Sequence, residues 1–257
     1  MTLAPQAGRR IVVAGGCGGI GRALVDACLD LQLHVAILDH PTAIERNPPR
    51  KPVLVLPVDA SEESSLNEAF RRLGGEWPQI DILVFLIGIP TMPPTPAAEL
   101  ATERWDRVID VNLRAAFLCA RLALPQLHRS DDACIVNVSS SLAFNPNKGS
   151  AAYVASKGGI VSLTKALAME NAPRVRANVV APSAVDTEFL YGGAATPGAN
   201  PDDHLFKTTL PSYLSGIPMA RLAEPADVVG PILFLAGPGA RYITGQVLHV
   251  NGGRITP

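Results

Sequence analysis

Short apolar runs rich in Val, Ile and Leu recur along the chain. They occupy residues 11–14, 35–38, 53–58, 82–87, 134–138, 175–181 and 247–250. Runs without an apolar–polar alternation are typical of strands buried on both faces. Segments with helical spacing lie between them, at residues 20–31, 62–73, 101–127, 152–170 and 225–236. This alternation predicts an α/β fold, with a doubly wound parallel sheet covered by helices on both faces.

Two stretches rich in proline and glycine follow strand patterns, at residues 90–96 and 191–218. Ligands of open α/β sheets bind outside the carboxyl ends of the strands. We therefore expect these stretches to border a binding site, with a substrate lid at residues 188–216. Neither has the character of a linker between two folding units, so residues 1–257 are expected to form a single domain.

Composition limits the classes of partner. The 257 residues are 47% hydrophobic and 18% charged, with 22 basic against 23 acidic side chains. This balance disfavours disorder and a nucleic-acid-binding surface, and favours a small-molecule substrate. The longest aliphatic stretch, residues 82–89, is far shorter than the roughly 20 residues that a membrane helix needs, so no membrane association is expected.

The chain has four cysteines, at Cys17, Cys28, Cys119 and Cys134. Their spacing fits neither a CxxC metal site nor the framework of a disulfide-rich secreted domain. We interpret them as buried thiols of a protein in a reducing compartment. A cytoplasmic location and the absence of a bound metal are the corresponding expectations.

A glycine-rich turn joins the first strand pattern to the first helix pattern. It satisfies G-x-G-x-x-G at Gly16, Gly18 and Gly21, and also G-x-x-x-G-x-G at Gly15, Gly19 and Gly21. Glycines in this context let a pyrophosphate approach the backbone and the free N–H groups of the helix N-terminus. The turn predicts a dinucleotide site of the Rossmann type, although a simple glycine-rich turn is the alternative. A P-loop would need Lys and Ser or Thr where Arg22 and Ala23 stand.

Asp39 ends the second strand pattern, 18 residues after Gly21. A carboxylate there can accept hydrogen bonds from the ribose hydroxyls of adenosine and repels a 2′-phosphate. An Asx turn is the structural alternative. With no Lys or Arg inside the glycine turn, and His40 and Pro41 next in sequence, we predict NAD rather than NADP as the cofactor.

Tyr153 and Lys157 lie four residues apart in the helix pattern at residues 152–170, and therefore on one face of it. A free tyrosine has a pKa of about 10, and an ammonium about 4 Å away stabilises the phenolate by roughly 4 kcal/mol at an effective dielectric of 20. The pair is expected to act as a general acid or base near neutral pH. Alone, Y-x-x-x-K is a common pattern that most often describes a half-buried aromatic beside a solvated lysine.

Taken together, the motifs resemble those of the short-chain dehydrogenase/reductase family, and the resemblance covers nearly the whole chain. The matching residues are Gly15, Gly19, Ile20 and Gly21; Asp59; Gly88; Asn112; Ser140; Tyr153 and Lys157; Pro182-Ser183-Ala184-Val185-Asp186-Thr187; and Thr244-Gly245-Gln246 through Asn251-Gly252-Gly253. Each motif is common singly, but their joint order and spacing are specific.

This resemblance implies an oxidoreductase that moves a hydride between NAD(H) and a secondary alcohol or ketone. Tyr153 would exchange the proton of the substrate oxygen, and Ser140 would hold that oxygen. Lys157 would bind the nicotinamide ribose and lower the pKa of Tyr153, while Asn112 would support a water-mediated proton path beyond Lys157. Asn112 and Thr187 also fit ordinary roles, as a helix side chain and an N-cap.

The cofactor roles implied by the resemblance follow the chain. Asp59 would lie against the adenine ring, and Gly88 would adjoin the nicotinamide. The turn from Pro182 through Val185 to Thr187 would hold the nicotinamide, with the Thr187 hydroxyl on its carboxamide.

The sequence departs from the family pattern at several positions. Ala14 replaces a usual Thr, Ser183 a usual Gly and Asn251 a usual Asp, changes that we expect to be absorbed locally. Residues 85–87, Phe-Leu-Ile, stand where the family carries Asn-Asn-Ala. The lost amides normally tie neighbouring backbone groups together, so cofactor affinity or loop order near the nicotinamide is expected to differ.

Assembly and substrate class are further expectations. The segments at residues 101–127 and 152–170 resemble the helices that pair between subunits in this family, which predicts a homo-oligomer, with a tetramer favoured. The expected lid is apolar, with one lysine and no arginine, which favours a neutral, apolar, cyclic or aromatic substrate. Its apolar residues are Phe189, Leu190, Tyr191, Leu205, Phe206, Leu210, Tyr213 and Leu214.

Other functions remain as alternatives. The chain could be a catalytically silent dinucleotide-binding redox sensor, although a sensor would not need Asn112, Ser140, Tyr153 and Lys157 together. An epimerase or dehydratase on a nucleotide sugar would need a larger second domain. A hydrolase with Ser140 as nucleophile lacks a surrounding G-x-S-x-G motif.

Overall fold

The computed structural model describes residues 3–191 and 204–256. Seven parallel strands form one sheet in the order β3-β2-β1-β4-β5-β6-β7. The strands are β1 (Arg10–Ala14), β2 (His34–Asp39), β3 (Leu54–Pro57), β4 (Ile82–Phe85), β5 (Ala133–Val138), β6 (Val175–Pro182) and β7 (Val247–Val250). Every residue of β5 and β6 is buried, which explains why these runs show no alternation.

Helices cover both faces of the sheet, as the sequence predicts. They are α1 (Gly19–Asp30), α2 (Pro41–Arg46), α3 (Glu63–Glu76), α4 (Thr102–Ile109), α5 (Ala115–Leu127), α6 (Ala151–Asn171), α7 (His204–Ser215) and α8 (Pro225–Ala236). Buried side chains of α3, α5 and α6 form the core on one face, and those of α1 and α8 form the core on the other. This architecture is the predicted doubly wound Rossmann-type fold.

The strand order reverses direction at β1, which pairs with β2 on one side and β4 on the other. Ala14, the last residue of β1, lies in register with Leu38 and with Phe85. The connections after β1 and β4 therefore leave the sheet in opposite directions and open a crevice at its carboxyl edge.

Several boundaries differ from the predicted ones. β4 ends at Phe85 rather than at residue 87, and the predicted helix at 101–127 is divided by a π-helical turn at Asp110–Arg114. The sequence pattern missed α2, which buries none of its side chains, and α7, which lies in the proline- and glycine-rich stretch. Part of the predicted lid, with residues 192–203 and the side chains of Tyr191, Leu205 and Phe206, falls outside the described residues.

All four cysteines are free and buried, as predicted. Burial raises their thiol pKa values, to about 12 for Cys28 and Cys119 and to about 11 for Cys17 and Cys134. Within residues 3–191 and 204–256, no helix combines the length and apolar character needed to cross a bilayer.

Candidate active site

A cavity of about 1290 Å³ opens along the carboxyl edge of the sheet. Its wall runs from the glycine turn after β1, past Asp39 and Asp59, to Ser140, Tyr153 and the turn after β6. The predicted catalytic and cofactor-binding residues thus line one continuous space, except for Asn112, which is buried.

The glycine turn has the shape that a close backbone approach requires. Gly15 has φ +94°, and a Cβ atom there would lie 3.0 Å from the backbone nitrogen of Ile87. A Cβ atom at Gly19 would lie 2.5 Å from the Thr187 Cγ2 atom, so Thr187 packs directly on the turn. Gly18 precedes α1 and has no side chain to cap it, which leaves the first N–H groups of α1 facing the cavity.

Asp39 joins the end of β2 to the glycine turn. Its Oδ2 atom accepts a 2.7 Å hydrogen bond from the Cys17 N–H, and its Oδ1 atom accepts one of 2.8 Å from the His40 N–H. Burial raises the pKa of Asp39, whereas these two backbone hydrogen bonds and the nearby His40 oppose that shift. The His40 ring caps α2, because its Nδ1 atom accepts from the Thr42 N–H.

Asp59 lines the cavity beyond β3, and its carboxylate is held by Ser61. The Oδ1 atom accepts from the Ser61 N–H at 3.0 Å and from the Ser61 hydroxyl at 2.6 Å. The hydroxyl bond is the largest influence on this carboxyl group and lowers its pKa. Asp59 therefore presents a fixed, charged acceptor with its second oxygen available to the cavity.

Tyr153 and Ser140 meet at the far end of the cavity. Tyr153 lies in the first turn of α6, and Ser140 follows β5, where its Oγ atom accepts a 3.1 Å hydrogen bond from the Leu142 N–H. Burial raises the pKa of Tyr153 to about 12, and the nearby Ser140 side chain only partly opposes this shift. The expected lowering of this pKa toward neutrality is therefore wrong for the chain alone, because desolvation exceeds any stabilisation of the phenolate.

Lys157 lies one turn further along α6 and is 4% exposed. Its Nζ atom is 5.8 Å from the centre of the Tyr153 ring and donates a 3.0 Å hydrogen bond to the Val138 carbonyl. Burial lowers the pKa of Lys157 to about 8. The ammonium thus lies beside the Tyr153 ring, and desolvation disfavours its charged form.

Asn112 lies in the π-helical turn between α4 and α5 and is fully buried. Its Oδ1 atom accepts from the Ile89 N–H at 2.8 Å, and its Nδ2 atom donates to the Ile89 carbonyl and to the Ser156 hydroxyl. A Cβ atom on Gly88 would lie 3.3 Å from Lys157 Nζ and 3.4 Å from Asn112 Oδ1. A glycine at position 88 lets the Lys157 and Asn112 side chains approach the segment after β4.

The turn after β6 forms the opposite wall. Pro182 ends the strand, Val185 is buried and makes a parallel bridge with Ala223, and Thr187 donates a 3.3 Å hydrogen bond to the Val185 carbonyl. Ser183 does more than the local adjustment that we expected from a Gly replacement. Its hydroxyl lies 2.7 Å from the hydroxyl of Tyr213 on α7, 30 residues away.

Arg46 is a cavity residue that the sequence pattern did not indicate, whereas Phe189 belongs to the predicted lid. Arg46 on α2 lines the cavity and lies 3.9 Å from Glu188, so a permanent cation is present near the predicted ribose site after all. Phe189 lies with its ring centre 6.0 Å from that of Tyr153 and covers the tyrosine. Pro41, which follows the capping residue His40, is typical of the first position of a helix and could have indicated α2. Arg46 is the last residue of that short helix.

These features fit a dinucleotide cofactor. The uncapped N-terminus of α1 could hold a pyrophosphate, the carboxylates of Asp39 and Asp59 could bind the adenosine half, and the Thr187 turn could hold the nicotinamide. The described residues hold no group of three His, Cys, Asp or Glu side chains that could ligate a metal.

Comparisons with known proteins agree with this arrangement. Residues 15–254 match the family model described as enoyl-(acyl carrier protein) reductase. The chain is 30% identical over 250 residues to 3-oxoacyl-(acyl-carrier-protein) reductase FabG of Staphylococcus aureus, covering 94% of this chain and 96% of that one. No single activity is common to all the similar proteins by name.

Solved structures are similar over nearly the whole chain. A 3-ketoacyl-(acyl-carrier-protein) reductase from Brucella melitensis, in complex with NADH, matches with a TM-score of 0.85 and 30% identity, covering 98% of this chain and 99% of that one. The aldohexose dehydrogenase of Thermoplasma acidophilum matches with a TM-score of 0.85 and 29% identity, covering 98% of each chain. The chain belongs to the short-chain dehydrogenase/reductase family of oxidoreductases.

Proposed function

We propose that the protein reduces a neutral, apolar ketone, or oxidises the corresponding secondary alcohol, with NAD(H) and with Tyr153 as the proton-transferring residue. The observation that carries this proposal is the meeting of Ser140, Tyr153 and Lys157 at one end of a cavity whose other end has the Asp39 carboxylate. The alternative of a silent redox sensor gives no reason for this grouping.

The nicotinamide supplies or accepts the hydride when bound. In reduction, the Tyr153 hydroxyl donates its proton to the substrate oxygen, and Ser140 holds that oxygen by a hydrogen bond. Burial suits Tyr153 to this role, since a pKa of about 12 keeps the hydroxyl protonated at neutral pH until a proton is needed. The ammonium of Lys157 then stabilises the phenolate left behind and holds the ribose.

In this proposal Asn112 holds the segment after β4 in place beside Lys157, through its hydrogen bonds to Ile89. Both of its donor hydrogens are used by Ile89 and Ser156, and its Oδ1 atom keeps one lone pair free after accepting from Ile89. That lone pair can accept from a water that relays protons to Lys157.

The preference for NAD over NADP rests on Asp39. A 2′-phosphate within a few ångströms of this carboxylate would meet a repulsion of about 2–4 kcal/mol at an effective dielectric of 20 to 40. Arg46 could offset part of it, but its guanidinium is shared with Glu188. Tenfold discrimination corresponds to about 1.4 kcal/mol, so the preference is expected to be tenfold or more.

The substrate end of the cavity is largely apolar. Its described lining includes Met92, Leu142, Phe189, Leu190 and Leu210, together with the Tyr153 and Tyr213 rings. Such walls suit an uncharged, cyclic or aromatic compound. The names of the relatives favour a second candidate, a 3-oxoacyl thioester, and Lys148 at the cavity edge is a cation outside the lid that could meet its carrier.

A nicotinamide absorbance screen tests the proposal. Neutral ketones and a 3-oxoacyl thioester are offered with NADH and with NADPH, in competition as well as singly. We expect oxidation of NADH by a neutral cyclic or aromatic ketone, with kcat/KM at least about tenfold higher than for NADPH. Preference for the thioester would replace the neutral ketone as the proposed substrate. A higher kcat/KM for NADPH than for NADH would overturn the role proposed for Asp39. NADH binding without any turnover would favour the redox sensor.

A further inference from the structure

Tyr213 makes an unusual set of contacts for a residue of the predicted lid. It lies in the last turn of α7, lines the cavity, and reaches the turn after β6 through its hydroxyl. The Ala184 N–H donates a 3.0 Å hydrogen bond to this hydroxyl oxygen. Because the oxygen already accepts, its own proton is available for the Ser183 hydroxyl at 2.7 Å.

The ring of Tyr213 is held from the other side by Arg254. The guanidinium carbon lies 3.9 Å from the ring centre, and Nη1 donates a 3.3 Å hydrogen bond to the Tyr213 carbonyl. Arg254 is itself fixed by the turn that follows β7, where the Asn251 side chain binds the Gly253 N–H and the Ile255 carbonyl. Three separate segments therefore meet at one tyrosine.

We propose that Tyr213 is a positioning residue, which fixes the turn after β6 against α7 and so sets the cofactor-binding wall of the cavity. Ser183, where the family carries glycine, provides the partner that makes this contact possible. The turn concerned continues to Val185 and Thr187, which both line the cavity, and Thr187 packs on Gly19 of the glycine turn. The role in cofactor binding rests on the proposed function.

Ser183 gains a second property from this contact. If its oxygen accepts the Tyr213 proton, the Ser183 hydroxyl proton is directed elsewhere, and Ser183 lines the cavity. A glycine at this position could provide neither the anchor for α7 nor this donor. We therefore expect the affinity for the cofactor to depend on the end of α7, whereas proton transfer at Tyr153 on α6 should not depend on it.

The test compares Tyr213→Phe, Ser183→Gly and the double variant with Tyr242→Phe, a matched loss of hydroxyl from a fully exposed tyrosine. Tyr213→Phe keeps the ring on Arg254 but removes the hydroxyl. The readouts are the Kd for NADH by fluorescence, kcat at saturating cofactor, and hydrogen exchange of residues 204–215 in the free protein.

We expect Tyr213→Phe and Ser183→Gly each to raise the Kd for NADH about fivefold, in line with one lost hydrogen bond, and to change kcat at saturating cofactor by a smaller factor. Exchange in α7 should accelerate, the double variant should add little, and Tyr242→Phe should match wild type. Wild-type NADH affinity and α7 exchange in Tyr213→Phe would overturn the proposal. Failure of the proposed function would be seen separately, as no NADH binding by the wild-type protein.

Discussion

Tyr153 and Lys157 are two ionisable side chains buried side by side, and burial drives both toward their neutral forms. The pKa of Tyr153 rises to about 12, and that of Lys157 falls to about 8. The sequence indicated the pairing through its four-residue spacing, but it could not indicate the desolvation, which depends on what the rest of the chain packs around α6. The site is therefore set up for donating a proton rather than for holding a phenolate.

A buried ammonium costs folding stability, and Lys157→Met should recover part of it. A depression from 10.5 to about 8 corresponds to a cost of the order of 3 kcal/mol at neutral pH, reduced in the variant by the lost bond to the Val138 carbonyl. We expect the thermal midpoint at pH 7 to rise by about 2–6 °C, although the variant should be inactive. Lys165→Met, at an exposed position of the same helix, is the control and should change little.

The pH dependence of this effect has a definite sign. Between about pH 8 and pH 10.5, the unfolded chain binds the Lys157 proton more strongly than the folded protein does, so the Lys157 contribution to stability rises with pH. The gain from Lys157→Met should shrink across that range. A variant that is less stable than wild type at pH 7 would contradict a net cost of this buried charge.

At the level of elements, the strands and long helices follow from the sequence, and the short helices do not. β5 and β6 are mostly apolar and buried along their whole length, which is the pattern of a strand covered on both faces. α2 has six residues and no buried side chain, so it carries no apolar stripe to recognise. α7 contains Pro211, yet its residues 205, 206, 210, 213 and 214 have helical spacing, a signal that its proline- and glycine-rich surroundings obscured.

The apolar residue at the end of β4 lies beside a buried asparagine of the next strand, β5. Phe85 occupies a position where the family carries Asn, and it lies in register with Asn137 of β5. Asn137 is fully buried, donates to the Thr164 hydroxyl, and has no partner for its Oδ1 atom. The family's amide would stand beside this unpaired acceptor, so we expect its loss to affect sheet stability, and the expected effect on cofactor affinity or loop order stays a prediction.

Asn137→Val should consequently stabilise the protein. It removes an unpaired buried acceptor, which costs about 1–3 kcal/mol, and Thr164 keeps its bond to the Ile160 carbonyl. Thermal unfolding should shift upward by about 2–4 °C. Asn178→Val is the matched control on β6, where both amide atoms are bonded, to Ile243 and Gln246, and it should lower the midpoint. A lower midpoint for Asn137→Val would refute this explanation.

At the scale of the whole molecule, exposed apolar side chains lie on the helices that resemble subunit-pairing elements. Trp105 on α4 is 36% exposed, Phe117 on α5 is 44% exposed, and Met169 on α6 is 82% exposed. Helices in contact with solvent alone seldom present such side chains together. They support the proposal of a homo-oligomer, with a tetramer favoured, which rests on the family resemblance.

Phe117→Asp should weaken this assembly, because a charge would replace an apolar contact at the proposed interface. Light scattering at micromolar concentration should give a multiple of the 27.0 kDa chain mass for the wild type and a smaller mass for the variant. His34→Asp, at an exposed position on β2, should assemble as the wild type does. A monomeric wild-type mass would contradict the proposal.

The most direct measurement on the proposed chemistry compares Tyr153→Phe with the wild type in two assays. One follows NADH oxidation by the ketone that the screen identifies, and the other measures NADH binding by fluorescence. We predict that turnover falls by about a hundredfold or more, because the proton donor is lost, while the Kd for NADH stays within about threefold. Turnover above about a tenth of the wild-type value would contradict the assignment of Tyr153 as the proton-transferring residue.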